Sequence, residues 1–244
     1  MRILAFSAHV ADFCSRSGGT LAKAVKEGGQ VRVVALTNGE RSESGGLYAG
    51  GAKPSIEEVK AVRVQEGKEA AEIIGAEIRF LDWGDLSFDF TMERVKTLAE
   101  EIREFRPDAI VTHHGPDPVS VDHDTCYRLV LRAAQVAGAP GLESERRPAR
   151  RPPIFLFEAT IPLTELEGFN PDLYVDITEV WETKLRALQA FHRAQGFLPA
   201  WYTDQARLRA FQAQRLCGNN AIQYAEAFER VQPWVGKRLP LDEL

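Results

Sequence analysis

Ile3-Leu4-Ala5-Phe6-Ser7-Ala8-His9-Val10-Ala11-Asp12-Phe13 starts as a short apolar run and then breaks into polar residues. A run of that length, Ile3 to Ser7, reads as a strand buried on both faces. Downstream, Gly19 to Lys26 reads as a helix closed by Gly28-Gly29, and Val31 to Thr37 (VRVVALT) is a second strand rich in β-branched residues. Strand, helix and strand in immediate succession predict a parallel sheet, because parallel neighbours need a crossover that a helix supplies.

The alternation continues through the chain. Residues 38–54 form a long loop with Gly39, Gly45, Gly46, Gly50, Gly51 and Pro54. Loops of this length in compact domains are often functional. A helix is expected from Ser55 to Ile74, with Ser55 as N-cap and Glu58 three residues on. Ile78 to Leu81 reads as a strand. Met92 to Phe105 is an amphipathic helix with Val95, Leu98, Ala99, Ile102 and Phe105 at helical spacing. Further strands are expected at Ala109–Thr112, Ile154–Phe157 and Leu173–Ile177, a helix at Asp122–Ala137, and two closing helices at about 179–195 and 204–231. The pattern implies one α/β domain over residues 1–244: a Rossmann-like, mainly parallel sheet with helices on both faces, the C-terminal helices packing on the same domain.

Composition sets outer bounds. The chain has 244 residues and a formal charge of −5, which does not suggest a nucleic-acid surface. The one basic cluster, Arg146-Arg147-Pro148-Ala149-Arg150-Arg151, reads as a solvated loop. Cys14, Cys126 and Cys217 are scattered and contain no CxxC pair, which fits a reducing cytoplasm rather than a disulfide framework. The first apolar run is too short for a membrane span or signal peptide. No G-x-G-x-x-G follows the first strand, so no dinucleotide cofactor is expected. The remaining class of partner is a small molecule; self-association is compatible with everything above.

In open α/β sheets, sites gather beyond the carboxyl ends of strands. Three segments there concentrate chemistry: Ser7 to Phe13; Asn38-Gly39-Glu40-Arg41-Ser42-Glu43-Ser44; and His113-His114-Gly115-Pro116-Asp117-Pro118-Val119-Ser120-Val121-Asp122-His123. Four of the five histidines lie in them. Two imidazoles and a carboxylate suit a catalytic divalent metal with an open position for water. Each residue alone has a plainer reading: Asp12 and Asp122 are ordinary helix caps, and Glu40 and Glu43 ordinary solvated loop charges. Convergence of three segments favours a site. His192 lies outside them and reads as structural.

These residues resemble the PIG-L (LmbE-like) family of zinc-dependent enzymes, best known as N-deacetylases of aminosugars. Ala8-His9-Val10-Ala11-Asp12, followed by Gly18-Gly19-Thr20, is similar to the family's Ala-His-Pro-Asp-Asp motif; Ser120-Val121-Asp122-His123 is similar to its His-Pro-Asp-His motif. Gly39-Glu40, the Arg63/Glu66 helix, Val175-Asp176-Ile177-Thr178 with Trp181 and Lys184, and Tyr224-Ala225-Glu226-Ala227-Phe228 extend the likeness along nearly the whole chain. The resemblance implies one metal ion per chain, zinc or alternatively iron(II), on His9, Asp12 and His123. It also implies a departure. Ala11 stands where the deacetylases carry a general base, and Ser120 where they carry a histidine. The Ser7–Phe13 and Gly39–Ser44 segments resemble the 4-oxalomesaconate hydratase branch instead, which has a histidine near the Thr160 position.

The expected activity is therefore hydration of a small unsaturated polycarboxylic acid, with N-deacetylation and a non-catalytic ligand-binding role as alternatives. Glu40, then Glu43, is the expected proton-transfer group. Asp122 is expected to act in catalysis or to orient a ligand histidine, and His113 and Asp117 to support the metal residues from behind. Arg16, Arg41, Arg63 and Ser120 are expected to hold an anionic substrate.

Overall fold

The computed structural model describes residues 1–115, 117–158, 160, 168–233 and 235; Pro116 lies outside the described residues. In chain order the elements are β1 (Arg2–Ser7), α1 (Asp12–Lys26), β2 (Gln30–Ala35), α2 (Ile56–Ile74), β3 (Glu77–Phe80), α3 (Met92–Phe105), β4 (Ala109–His113), α4 (Val121–Ala137), β5 (Ile154–Phe157), β6 (Leu173–Asp176), α5 (Trp181–Gln189), α6 (His192–Gln195), α7 (Leu198–Cys217) and β7 (Ala225–Arg230).

The strands form one sheet in the order β3-β2-β1-β4-β5-β7-β6. The first five run parallel. Strand β7 is antiparallel to both β5 and β6. One face packs on α1, α2, α5 and α7 through a core that includes Phe13, Leu21, Ile74, Ile177 and Phe191. The other packs on α3 and α4 through Phe6, Leu98, Ile102, Leu129 and Val130. The expected class, a mainly parallel sheet covered on both faces, is what forms. Between β1 and β4 the order of the parallel strands reverses direction. In open α/β sheets such a reversal is where ligands bind, beyond the carboxyl edge.

Local signals explain several boundaries. Ser55 Oγ accepts the Glu58 amide hydrogen, and the Glu58 carboxylate accepts the Ser55 amide hydrogen in return, the reciprocal cap the sequence predicts. Gly19 lies against the segment after β6, and a Cβ there would fall 2.6 Å from Ile177 Cδ1, so only glycine lets α1 approach that closely.

Three helical stretches differ from expectation. Helix α1 begins at Asp12 rather than Gly19, because the turn after β1 leads straight into it. The closing helix ends at Gly218 (φ 77°), and residues 225–230 are a strand, not helix. Ala-Glu-Ala-Phe-Glu-Arg has good helix propensity, but insertion between β5 and β6 decides its conformation. The stretch near 179–195 is likewise divided, with α5 and α6 separated at Ala190-Phe191. Among the described residues no helix is long and apolar enough to cross a membrane.

Candidate metal centre

Every functional segment leaves the carboxyl edge of a strand. His9 lies in the turn after β1, and Asp12 is the first residue of α1. Glu43 lies in the loop after β2, Asp85 in the loop after β3, and Asp117 after β4, while Asp122 and His123 occupy the first turn of α4. His9 and His123 thus flank the reversal between β1 and β4.

Four ligand atoms converge there. His9 Nδ1 is 3.2 Å from His123 Nε2, 3.5 Å from Asp12 Oδ2 and 3.4 Å from Glu43 Oε1. His123 Nε2 is 3.6 Å from Asp12 Oδ1. His9, Asp12 and His123 are almost fully enclosed, and Glu43 alone keeps an open edge.

The outward nitrogens are held by carboxylates. His123 Nδ1 meets Asp117 Oδ2 at 2.7 Å. His9 Nε2 meets Asp122 Oδ2 at 3.2 Å and Asp85 Oδ1 at 3.3 Å. These supports are themselves fixed. Asp117 accepts the amide hydrogens of Val119, Ser120 and Thr160. Asp85 accepts those of Arg41 and Ser42, and Asp122 that of Leu86. With each outer ring nitrogen facing a carboxylate, the inner nitrogens turn lone pairs toward each other and toward two carboxylates. Buried lone pairs at this separation require a proton or a cation between them. The donor set therefore fits a divalent ion, and His9, Asp12, Glu43 and His123 are the group that can hold one.

The charges show the same demand. Burial opposes an imidazolium, yet Glu43, with Asp12, Asp122 and Asp85, lifts His9 well above its ordinary value. Burial penalises the Asp12 carboxylate, but Arg16, His123 and His113 more than offset this and keep its pKa well below the usual range. Glu43 is likewise held low: burial is outweighed chiefly by His9, with Arg63 contributing. His113 is pushed down to about 3 by burial and by His123. It takes the Ala8 amide hydrogen on Nε2 at 3.0 Å, lies 3.2 Å from Asp12 Oδ2 and stacks on His123. It therefore buttresses the cluster from behind.

The other expected site residues divide. Glu40 is buried but is not one of the four converging residues; its Oε1 accepts the Asp85 amide hydrogen at 3.0 Å and one from Arg41 at 3.0 Å. Asp122 supports His9 rather than facing the open side. Arg16 is committed to Asp12 Oδ1 (2.6 Å) and Thr160 Oγ1 (3.0 Å). Arg63 is fully enclosed, donating to the Asn38 carbonyl and pairing with Glu66 and Glu43. The charges of these two arginines offset buried carboxylates. Arg41 alone of the three keeps an exposed guanidinium, and Ser120 sits half-buried at the N-cap of α4 without a capping bond. Asp85 escaped the sequence reading. Its signal was the one used for the others, a carboxylate just past a strand end, in Asp82-Trp83-Gly84-Asp85.

The chain is similar to known proteins over most of its length. The model of the family described as PIG-L: GlcNAc-PI de-N-acetylase matches residues 4–134. The 4-oxalmesaconate hydratase of Pseudomonas putida KT2440 is 35% identical over 239 residues, covering 97% of this chain and 91% of the relative. The diacetylchitobiose deacetylase of Thermococcus kodakarensis is 29% identical over 214 residues, covering 85% of this chain and 75% of the relative. The crystal structure of GalB, the 4-carboxy-2-hydroxymuconate hydratase from Pseudomonas putida KT2440, superposes with a TM-score of 0.91 at 35% identity, covering 98% of this chain and 99% of that one. An α/β sheet with a histidine–carboxylate cluster at its switch point defines the class, and the chain belongs to the PIG-L family. Within that family it is similar along nearly its full length to a hydratase, and less so to deacetylases.

Proposed function

We propose that the protein is a metal-dependent hydratase, a lyase that adds water across a carbon–carbon double bond of a small unsaturated polycarboxylic acid. One observation carries the reading. The carboxylate facing His9 with an open edge is Glu43, from the loop after β2, whereas Ala11 is apolar and buried where the family's deacetylases have their base. The proposed ion is zinc, on His9, Asp12 and His123, with iron(II) suited to the same nitrogen and oxygen donors. Bound there, such an ion acidifies water and polarises a substrate oxygen.

The chain's own groups do the rest. Glu43, held ionised, takes a proton from the adding water as the oxygen–carbon bond forms. The resulting carboxylic acid returns that proton to the neighbouring carbon, so the double bond becomes C–OH and C–H with no redox change. Arg63, 3.4 Å from Glu43 Oε2, holds the far oxygen and leaves Oε1 toward His9. Glu40 fixes the Asp85 turn, so the structure favours Glu43 over Glu40 as base. Arg41 and Ser120 are the groups proposed to meet substrate carboxylates. The three free thiols suit a reducing cytoplasm.

The test is incubation of metal-loaded protein with 4-carboxy-2-hydroxymuconate, following loss of conjugated absorbance, beside an acetate-release assay on N,N′-diacetylchitobiose. Hydration with negligible acetate is expected. Efficient acetate release without hydration overturns the proposal in favour of a deacetylase; neither activity in protein that retains metal favours a non-catalytic role.

A further inference from the structure

Helix α7 has a buried inner side and an apolar stripe along its outer side. Its inner side carries the buried Tyr202, Ala206, Ala210 and Ala213. Its outer side exposes Phe197 (43%), Trp201 (62%), Leu208 (45%) and Phe211 (59%). Exposed large apolar side chains grouped on one face ordinarily mark an interaction surface, and among the described residues nothing covers this face.

The spacing is specific. Phe197, Trp201, Asp204, Leu208, Phe211 and Arg215 follow one another in alternating steps of four and three, the repeat of a helix that packs against another helix along a seam. Two charges interrupt the stripe, Asp204 and Arg215, and neither is in an ion pair among the described residues. An unpaired charge in an apolar seam is costly unless the facing surface supplies its opposite.

We propose that this face is a self-association surface, on which α7 packs antiparallel against α7 of a second copy of this chain about a twofold axis. The charges choose the occupant and the register. With the axis passing at the level between Arg209 and Ala210, Asp204 of each copy meets the partner's Arg215, twice by symmetry, and Leu208 meets the partner's Phe211 at the centre. Trp201 then reaches the level of the partner's Gly218, where a Cβ would meet nothing within 4 Å, so space for the indole exists. Sliding the pair by one step of the repeat sets Asp204 against the partner's Leu208 and leaves both carboxylates unpaired, which selects against that register. The stripe runs the length of the helix, roughly 30 Å for its twenty residues. This inference is independent of the reaction proposed above.

The test is sedimentation analysis of the full chain across a concentration series, with circular dichroism to check that each variant is folded. Wild type is expected to assemble in multiples of two. Phe211→Glu is expected to weaken that assembly by about tenfold or more. Asp204→Arg alone and Arg215→Asp alone should weaken it through like-charge contacts, while Asp204→Arg with Arg215→Asp should restore it. Three results overturn the proposal: a wild type that stays monomeric throughout, which would mean the chain covers its own α7; assembly unchanged by Phe211→Glu, which would place the interface elsewhere; and a double charge reversal no better than the single ones.

Discussion

Two buried groups of charges lie along α1, one at its middle and one at its N-terminus, and only one is built like a site. Where β7 passes the middle of α1, the Glu226 carboxylate accepts the amide hydrogens of Gly19 and Thr20 at 2.8 and 2.7 Å and pairs with Lys184 Nζ at 2.7 Å. One negative charge meets one positive charge and two amide dipoles, and the account closes. At the N-terminus of α1, His9, Asp12, Glu43 and His123 point acceptor atoms at one another, while their outer nitrogens are held by further carboxylates. That account does not close with protein groups alone. Residues of both groups belong to the stretches that carry the family likeness. Family pattern alone therefore does not separate a clamp from a centre; the balance of donors and acceptors does.

The comparison can be broken from either side. The largest effect is expected at the open group. His123→Ala removes a converging nitrogen, and elemental analysis should show most of the metal lost from a wild-type content of about one ion per chain; unchanged metal in a folded variant would remove His123 from the ligand set. The closed group should respond in stability alone. Lys184→Met leaves Glu226 buried without its cation, which costs about 3–5 kcal/mol. Denaturant unfolding reads that loss, and metal per folded chain should stay at the wild-type level.

Within the centre, ligands and proton-transfer groups should separate. Glu43→Gln is expected to lower kcat about 10²-fold or more with metal retained, the usual scale for losing a general base. If metal leaves with activity, Glu43 is a ligand and the proton passes through another group. Asp117→Asn keeps the shape behind His123 but removes the charge, and metal affinity, read by competition with a chelator, should fall about 10–100-fold. The smallest change is Glu40→Gln, for which kcat should drop less than about tenfold, since this carboxylate supports the Asp85 turn rather than the reacting atoms. A Glu40→Gln loss as deep as that of Glu43→Gln would restore Glu40 as the base.

Much of this was legible along the chain. Short apolar runs separated by amphipathic stretches determine a parallel sheet covered on both faces, since such runs can only be buried between two layers of helices. Polar residues directly after strand ends located His9, Asp12, Asp117 and His123, because the carboxyl edge is where backbone leaves the sheet and side chains are free to converge. The loop carboxylates could be named, and the sequence put Glu40 first as the one nearer the strand end. Glu40 and Glu43 are three residues apart, and that Glu43 meets His9 while Glu40 meets the Asp85 amide, the contacts on which the proposal of Glu43 as base rests, appears only in the packed structure.

Other features belong to the tertiary structure alone. Residues 225–230 became a strand because β5 and β6 left a gap between them that needed backbone partners, a demand that no local propensity records. Arg16 and Arg63 are drawn inward by Asp12, Glu43 and Glu66, carboxylates near or far in sequence that only folding brings into one low-dielectric volume. Asp85 joined His9 by the same route, across a loop of another strand. Sequence by itself determined which residue types stand at which strand ends, because periodicity and turns are local. Which of their lone pairs would face each other, and which would be neutralised, depended on distances across the sheet, and only the packed structure decided them.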